Sequence, residues 1–404
     1  MLKHWLWLTC RPGIGTRGRA ALLRIFGTAE RIYALTEAEC RSTEGFDKRW
    51  LEGVLDKSTE EAERILLACD NLGIGVLTYA DEAYPDRLRN IPDPPAVLYY
   101  RGTLPDFDHE AAVAVVGTRH CTAYGLLHAK QFSKLMAASG AIVVSGGARG
   151  IDTMALRAAL DSAMPVVCVL GCGVDVAYPP ENRFLFREIT AHGCLISEYP
   201  PGTRPDRGNF PVRNRIISGL SLGVLVIEAP ERSGALITAT HALEQGRDVF
   251  TIPGNIGAKN CEGTNRLLRE GASLVMDGWD VVSSYVYLFP DKLTDGRTRS
   301  AMEHVYQMRY KKALPVYTPK CISDGDDKKA VDIPASNAYS DEKEHAPLTP
   351  DEQKVKALLS AEPTHSDELI ARSGLPAQRV LAALTLLQLH KCAEKLPGNF
   401  YRGI

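Results

Sequence analysis

The sequence predicts an α/β protein built on a doubly wound parallel sheet, with a small helical domain before it and a winged helix after it. Three observations predict this. From Ala111 onward, short β-branched runs alternate with helix-length segments, the rhythm of repeated βα units. Glycine-rich turns follow three of those runs directly, at the edge where open parallel sheets bind ligands. Three helix signals and a hairpin then fill residues 348–404.

Composition bounds the function. A chain of 404 residues exceeds one ordinary domain. Its 45% hydrophobic and 24% charged residues fit a globular chain. No apolar run reaches the length of a membrane span, so no membrane partner is expected. The apolar start, Met1 to Cys10, is too short for a secretory segment and is followed by Arg11, Arg17 and Arg19. A cytoplasmic location is expected. Lys plus Arg number 47 against 49 Asp plus Glu, a net charge of −2. That excludes a globally basic DNA coater, but not a local basic groove. The ten cysteines are scattered with no C-x-x-C pair, so reduced, buried thiols and no metal are expected.

Residues 1–70 read as a small helical domain of SAM or helix-hairpin-helix type. Pro12-Gly13-Ile14-Gly15 breaks the chain before Ala20 to Phe26, and such a turn can hold a phosphate on helix-start amides. Arg19 stands where alanine is usual, and packing is the favoured reading. Residues 71–110, with Tyr84-Pro85 and Asp93-Pro94-Pro95, read as an irregular connector packing on the next domain. In residues 111–289 the strand candidates are Ala112 to Val116, Ala141 to Ser145, Val166 to Leu170, Cys194 to Ser197, Val224 to Glu228 and Val249 to Ile252. Each is nearly all apolar, as strands buried on both faces are. Helices are expected at Tyr124 to Ala138 and Thr153 to Leu160. Residues 290–347 read as a flexible linker with one short helix around Ala301 to Lys312; Asp324 to Lys329 is nearly all polar. Residues 348–404 open with Thr349 as cap and Pro350 at the first helical position. Helices at Ser366 to Arg372 and Pro376 to His390 follow, then a hairpin around Pro397-Gly398-Asn399.

The chemistry sits in the glycine turns. The first is Val116-Gly117-Thr118-Arg119, the second Ser145-Gly146-Gly147-Ala148-Arg149-Gly150-Ile151-Asp152. The third, Gly171-Cys172-Gly173, continues through Tyr178 to Arg183. Such glycines let backbone amides face an anion, and Arg119 and Arg149 add bidentate cations. Neither the dinucleotide fingerprint nor a Walker A motif is present, so ATP hydrolysis has no support. In Asn209 to Leu220, Phe210 is placed to stack on a base while Arg213, Asn214 and Arg215 meet phosphates. The competing reading puts Phe210 in the core and pairs the arginines with Glu198 or Glu228.

With Pro12 to Gly15, Tyr84-Pro85 through Gly102, Ser197 to Pro200, Ser233 to Ala239, Glu244 to Arg247 and Pro253-Gly254-Asn255, these motifs run through nearly the whole chain. Together they resemble the DNA-processing family DprA, also called Smf. The resemblance implies an extended Rossmann-like domain and a binding protein with no cofactor, rather than an enzyme. It implies single-stranded DNA as ligand, protection of incoming DNA in natural transformation, and loading of the RecA recombinase. It also implies single-strand binding protein as a partner and a homodimer formed through the Rossmann-like domain. Carried onto this chain, the DNA set is Gly117, Thr118, Arg119, Ser145, Gly146, Gly147, Arg149, Gly150, Phe210, Arg213, Asn214 and Arg215. Arg183 replaces the basic residue that relatives often carry where Pro180 stands. Ala155-Leu156 follows Asp152 where relatives have Ala-His, so any role of that histidine is absent. Glu198 and Asp152 are expected to orient arginines or cap helices rather than to catalyse.

Two alternatives compete. A nucleoside-monophosphate phosphoribohydrolase of the same broad fold carries Pro-Gly-Gly-x-Gly-Thr-x-x-Glu, whose Glu works at the glycosidic bond. Here the stretch reads Arg232 to Thr240, with no Glu until Glu244, and general acid catalysis needs a carboxylate within reach. A winged-helix regulator would read duplex DNA with Gln378, Arg379, Gln388, His390 and Lys391, a thin set of base readers.

Overall fold

The computed structural model describes residues 1–162, 164–297, 350–360, 362, 364–377, 379–380, 383–384, 387, 392–396 and 400–403. They fall into two compact units divided between residues 316 and 317.

The first unit is organised by one nine-stranded sheet. Its strands are β1 (Gly75–Thr78), β2 (Val97–Gly102), β3 (Ala112–Val116), β4 (Ile142–Ser145), β5 (Val166–Leu170), β6 (Gly193–Ser197), β7 (Gly223–Val226), β8 (Asp248–Thr251) and β9 (Ser273–Leu274). Their order is β1-β2-β6-β5-β4-β3-β7-β8-β9. From β6 to β9 along that order every pairing is parallel. All six expected strands are present, their ends within two residues of expectation.

The stretch expected as an irregular connector instead supplies β1 and β2. They pair antiparallel with each other, and β2 pairs antiparallel with β6, Tyr99 opposite Ser197. The prolines at 94 and 95 stop just before Val97-Leu98-Tyr99-Tyr100, which is free of them and strongly β-prone.

Side-chain alternation divides each strand between two apolar layers. Val113 and Val115 point to one face and Ala112, Ala114 and Val116 to the other. The first face is covered by α8 (Ala123–Ala138), α9 (Ile151–Ala159) and α10 (Arg183–His192), and by the six N-terminal helices. The second is covered by α7 (Asp86–Arg89), α11 (Asn209–Gly219), α12 (Gly234–Glu244) and α13 (Glu262–Arg269).

The six N-terminal helices, α1 to α6, are Leu2–Thr9, Thr16–Phe26, Ala29–Tyr33, Glu37–Ser42, Leu51–Leu55 and Glu60–Leu72. Trp5, Trp7 and Leu8 share one apolar cluster with Tyr99 and Val113. Pro12 to Gly15 separates α1 from α2, and the Arg19 guanidinium turns inward to the Thr9 carbonyl at 2.6 Å. After β9, α14 (Gly278–Ser283) caps the first face. Residues 290–297, expected as linker, are tied down: the Thr294 amide donates to the Ser139 carbonyl, and Lys292 pairs with Glu110. The remaining expectations for the linker, and Thr349, lie outside the described residues.

The second unit holds α15 (Pro350–Lys356), β10 (Thr364–His365), α16 (Ser366–Ser373), β11 (Ala393–Leu396) and β12 (Phe400–Gly403). Its sheet order is β10-β12-β11, closed by the expected hairpin; Pro397 to Asn399 lie outside the described residues. Val355, Leu369, Val380 and Leu384 form its core. Of the expected base readers only Arg379 is described, and it is paired with Asp351. Among the described residues no helix is long and apolar enough to cross a membrane, and the nine described cysteines are free thiols.

Gly102 ends β2 with φ +94°, and a Cβ there would collide with the Gly193 carbonyl of β6. Gly102→Ala is therefore expected to cost about 2 kcal/mol or more, read by urea unfolding.

Candidate nucleic-acid interface

A cleft of ≈ 660 Å³ opens at the carboxyl ends of β3 and β7, between the β3 turn and the starts of α11 and α12. This is the edge that the glycine turns predict. Phe210, in the first turn of α11, is half-buried at its centre. The Arg119 guanidinium lies 5.3 Å from the ring centroid and that of Arg213 5.9 Å. The Tyr178 ring stands 5.6 Å away, tilted by 32°. Phe210 is thus a cleft side chain gripped by cations and an aromatic, not a core residue.

Arg213 forms the floor. It is buried, and donates to the Gly146 carbonyl at 2.8 Å, to the Val169 carbonyl and to Asn214 Oδ1 at 3.3 Å. A Cβ on Gly146 would lie 2.7 Å from its Nη2, so only glycine admits it. The buried Asp152 balances its charge. Burial pushes the Asp152 carboxyl up to about 6, opposed by Arg213 and the Ala148 amide. Asn214 lines the cleft and ties α11 to α12 through the Gly234 carbonyl at 3.3 Å.

Arg215 is a correction. Two residues beyond Arg213 on a helix of 3.6 residues per turn, it faces the opposite way. It is 1% exposed, with Nε 3.2 Å from Asp93 Oδ2 and Nη2 2.9 Å from Glu198 Oε1. Glu198 therefore orients Arg215, and Asp152 lies beside Arg213, as expected.

The other expected residues divide. Gly117, Thr118 and Arg119 line the cleft. Gly146 and Arg149 line a narrow recess beside it, with the exposed Arg149 paired to Glu181. Ser145 is buried and donates to the Val115 carbonyl at 2.6 Å, so its role is internal. Gly147 packs on Cys168. Gly150, at φ +79°, packs on the Thr118 carbonyl, which holds the first two turns together. Arg183 is exposed at the start of α10 and is not among the lining residues; its neighbour Asn182 turns inward to the Gly147 carbonyl. Leu156 is buried in the core. Glu228 caps α8 by accepting from the Thr122 amide at 2.9 Å.

Sequence reasoning missed Arg207, Arg232 and Thr238, which all line the cleft. Arg207 precedes Phe210 by three residues, and Arg232 precedes the Ser233 cap of α12. Arg119, Arg207 and Arg232 are exposed, and no carboxylate of the described chain lies within ion-pairing distance of them. Glu244 lies outside the lining, paired with His241.

Two outcomes follow from the buried charges. Arg215→Ala leaves Glu198 and Asp93 without their cation, so a loss of about 3–5 kcal/mol is expected in chemical unfolding. The Asp152 carboxyl titrates above its ordinary 3.8. Its contribution to stability is therefore full below that value and lost as pH rises through about 6. Between about pH 4.5 and 7.5, the wild type should lose about 2 kcal/mol relative to Asp152→Asn.

Comparisons with known proteins agree with this arrangement. Residues 75–286 match the family described as DNA recombination-mediator protein A, and residues 340–399 match the DprA winged helix domain. Protein Smf of Synechocystis is 33% identical over 99% of this chain and 98% of its own. The DNA processing protein DprA of Streptococcus pneumoniae is 44% identical over 51% of this chain and 73% of its own. The X-ray structure of DprA from that organism superposes with a TM-score of 0.61 at 32% identity, covering 70% of this chain and 98% of the other. In sequence, in sheet and in its C-terminal winged helix, the chain belongs to the DprA (Smf) family.

Proposed function

We propose that the chain is a single-stranded-DNA-binding recombination mediator that protects incoming DNA and loads the RecA recombinase onto it during natural transformation. The observation that carries this is the cleft itself. Arg119, Arg207 and Arg232, exposed and without a carboxylate partner among the described residues, line the cleft together with the half-buried Phe210, and the one acid in the lining, Asp152, is buried beside Arg213. Unpaired guanidiniums capture a phosphate chain, and the ring stacks a base without regard to sequence. The relatives named as DNA processing proteins support the same reading. The protein works in the cytoplasm as a homodimer formed through the Rossmann-like domain, with RecA and single-strand binding protein as its partners.

The chain acts by binding, not by hydrolysis. The phosphoribohydrolase motif requires a carboxylate, and the stretch from Arg232 to Thr240 holds none; the next, Glu244, is not among the residues lining the cleft.

Salt-titrated binding to oligo-dT tests the reading. Affinity should fall with salt at a slope of about −0.7 per neutralised phosphate. Arg119→Ala should lower affinity on every sequence alike and flatten that slope by about one phosphate. Phe210→Ala should cost about 1–3 kcal/mol. Wild-type affinity for oligo-dT in both variants would place the strand elsewhere.

A further inference from the structure

The first turn of α12 borders the cleft beside Arg232, one of the arginines of the proposed strand site. Ser233 caps this eleven-residue helix, its side chain accepting from the Ala235 amide at 3.3 Å. Gly234 carries one of the amides that a helix start leaves without an internal partner. Arg232 stands exposed just before it, with no carboxylate to pair with. One turn further along, Thr238 also lines the cleft.

Thr238 is the second, independent observation. It is 1% exposed, yet its hydroxyl forms no hydrogen bond within the described chain. The neighbouring Thr240 shows the usual alternative, donating back to the Leu236 carbonyl at 3.0 Å. The Thr238 oxygen is not one of the fully enclosed polar atoms without a partner, so on an otherwise buried residue it is the hydroxyl that opens onto the cleft. It is free to bond something that enters there.

We infer that Arg232, the Gly234 amide and Thr238 form a phosphate subsite that accepts a nucleoside 5′-monophosphate, free or at the end of a strand. This deepens the nucleic-acid reading of the cleft and rests on it. The ligand class follows from charge and size. A terminal phosphate carries nearly two negative charges where an internal diester carries one. Arg232 and the positive end of α12 together supply more cation than one diester neutralises. A cleft of ≈ 660 Å³ is of the size that takes a small molecule. Phe210 offers its ring to the base while the phosphate sits at α12.

The test uses the full chain and three probes: dTMP, inorganic phosphate and oligo-dT with or without a 5′-phosphate. In calorimetry, dTMP should bind the wild type and displace oligo-dT competitively. The 5′-phosphorylated oligonucleotide should bind more tightly than its 5′-hydroxyl counterpart. Arg232→Ala should weaken dTMP by about tenfold or more, the size of one lost charge-assisted contact. Thr238→Val, which keeps the side-chain shape, should weaken it about threefold and leave the far-UV spectrum unchanged. Binding of inorganic phosphate as tight as that of dTMP would overturn the nucleotide assignment. Binding of oligo-dT without binding of dTMP would overturn the subsite while strand capture stands. Binding of dTMP without oligo-dT would uphold the subsite and remove the strand reading.

Discussion

The site depends on how α11 is held. Arg215 is clasped in the interior between Asp93 and Glu198, and this fixes the rotation of the helix about its axis. With Arg215 pointing inward, Phe210 and Arg213 face the cleft. Asp93 comes from the stretch before β2 and Glu198 directly follows β6, so the clasp also ties α11 to the antiparallel end of the sheet. A buried ion pair adds little net stability, because desolvation consumes the Coulomb gain. What it supplies here is orientation, since any other rotation of α11 would leave a charge buried alone.

The same logic governs the remaining charges. The chain carries 47 cationic side chains and a net charge of −2. Many of those cations are engaged, Arg11 with Asp56, Arg87 with Asp108 and Arg149 with Glu181. Among the described residues, Arg119, Arg207 and Arg232 at the cleft have no carboxylate partner. Their positive charge is therefore left open at the cleft, where it would act on a polyanion.

Much of this was legible in the sequence. The six apolar runs read as buried strands because both their faces are covered, and the glycine turns mark the binding edge. β1 and β2 were missed because nearby prolines masked a β-prone run, and β9 because two exposed residues carry no pattern. Within the site, Arg119, Phe210 and Arg213 were found by their turn and helix-start positions. Arg215 was misplaced because residue type cannot tell a phosphate ligand from an ion-paired core arginine; helical spacing separates Arg213 from Arg215 once α11 is anchored at one of them. Arg207, Arg232 and Thr238 lie outside the glycine motifs, and only folding brings them to one cleft.

Thr238 also bears on what separates a nucleotide-binding cleft from a hydrolytic one. The sheet edge, the turn before α12 and the helix start are all suited to holding a nucleotide phosphate. Cleaving a glycosidic bond there would require a proton donor held against the sugar. A carboxylate in the place of Thr238 would repel a phosphate as well as donate a proton. A hydroxyl contributes a hydrogen bond without charge. For a cleft that holds strands as proposed, the uncharged side chain would serve both requirements, retention through hydrogen bonding and safety through lack of acidity.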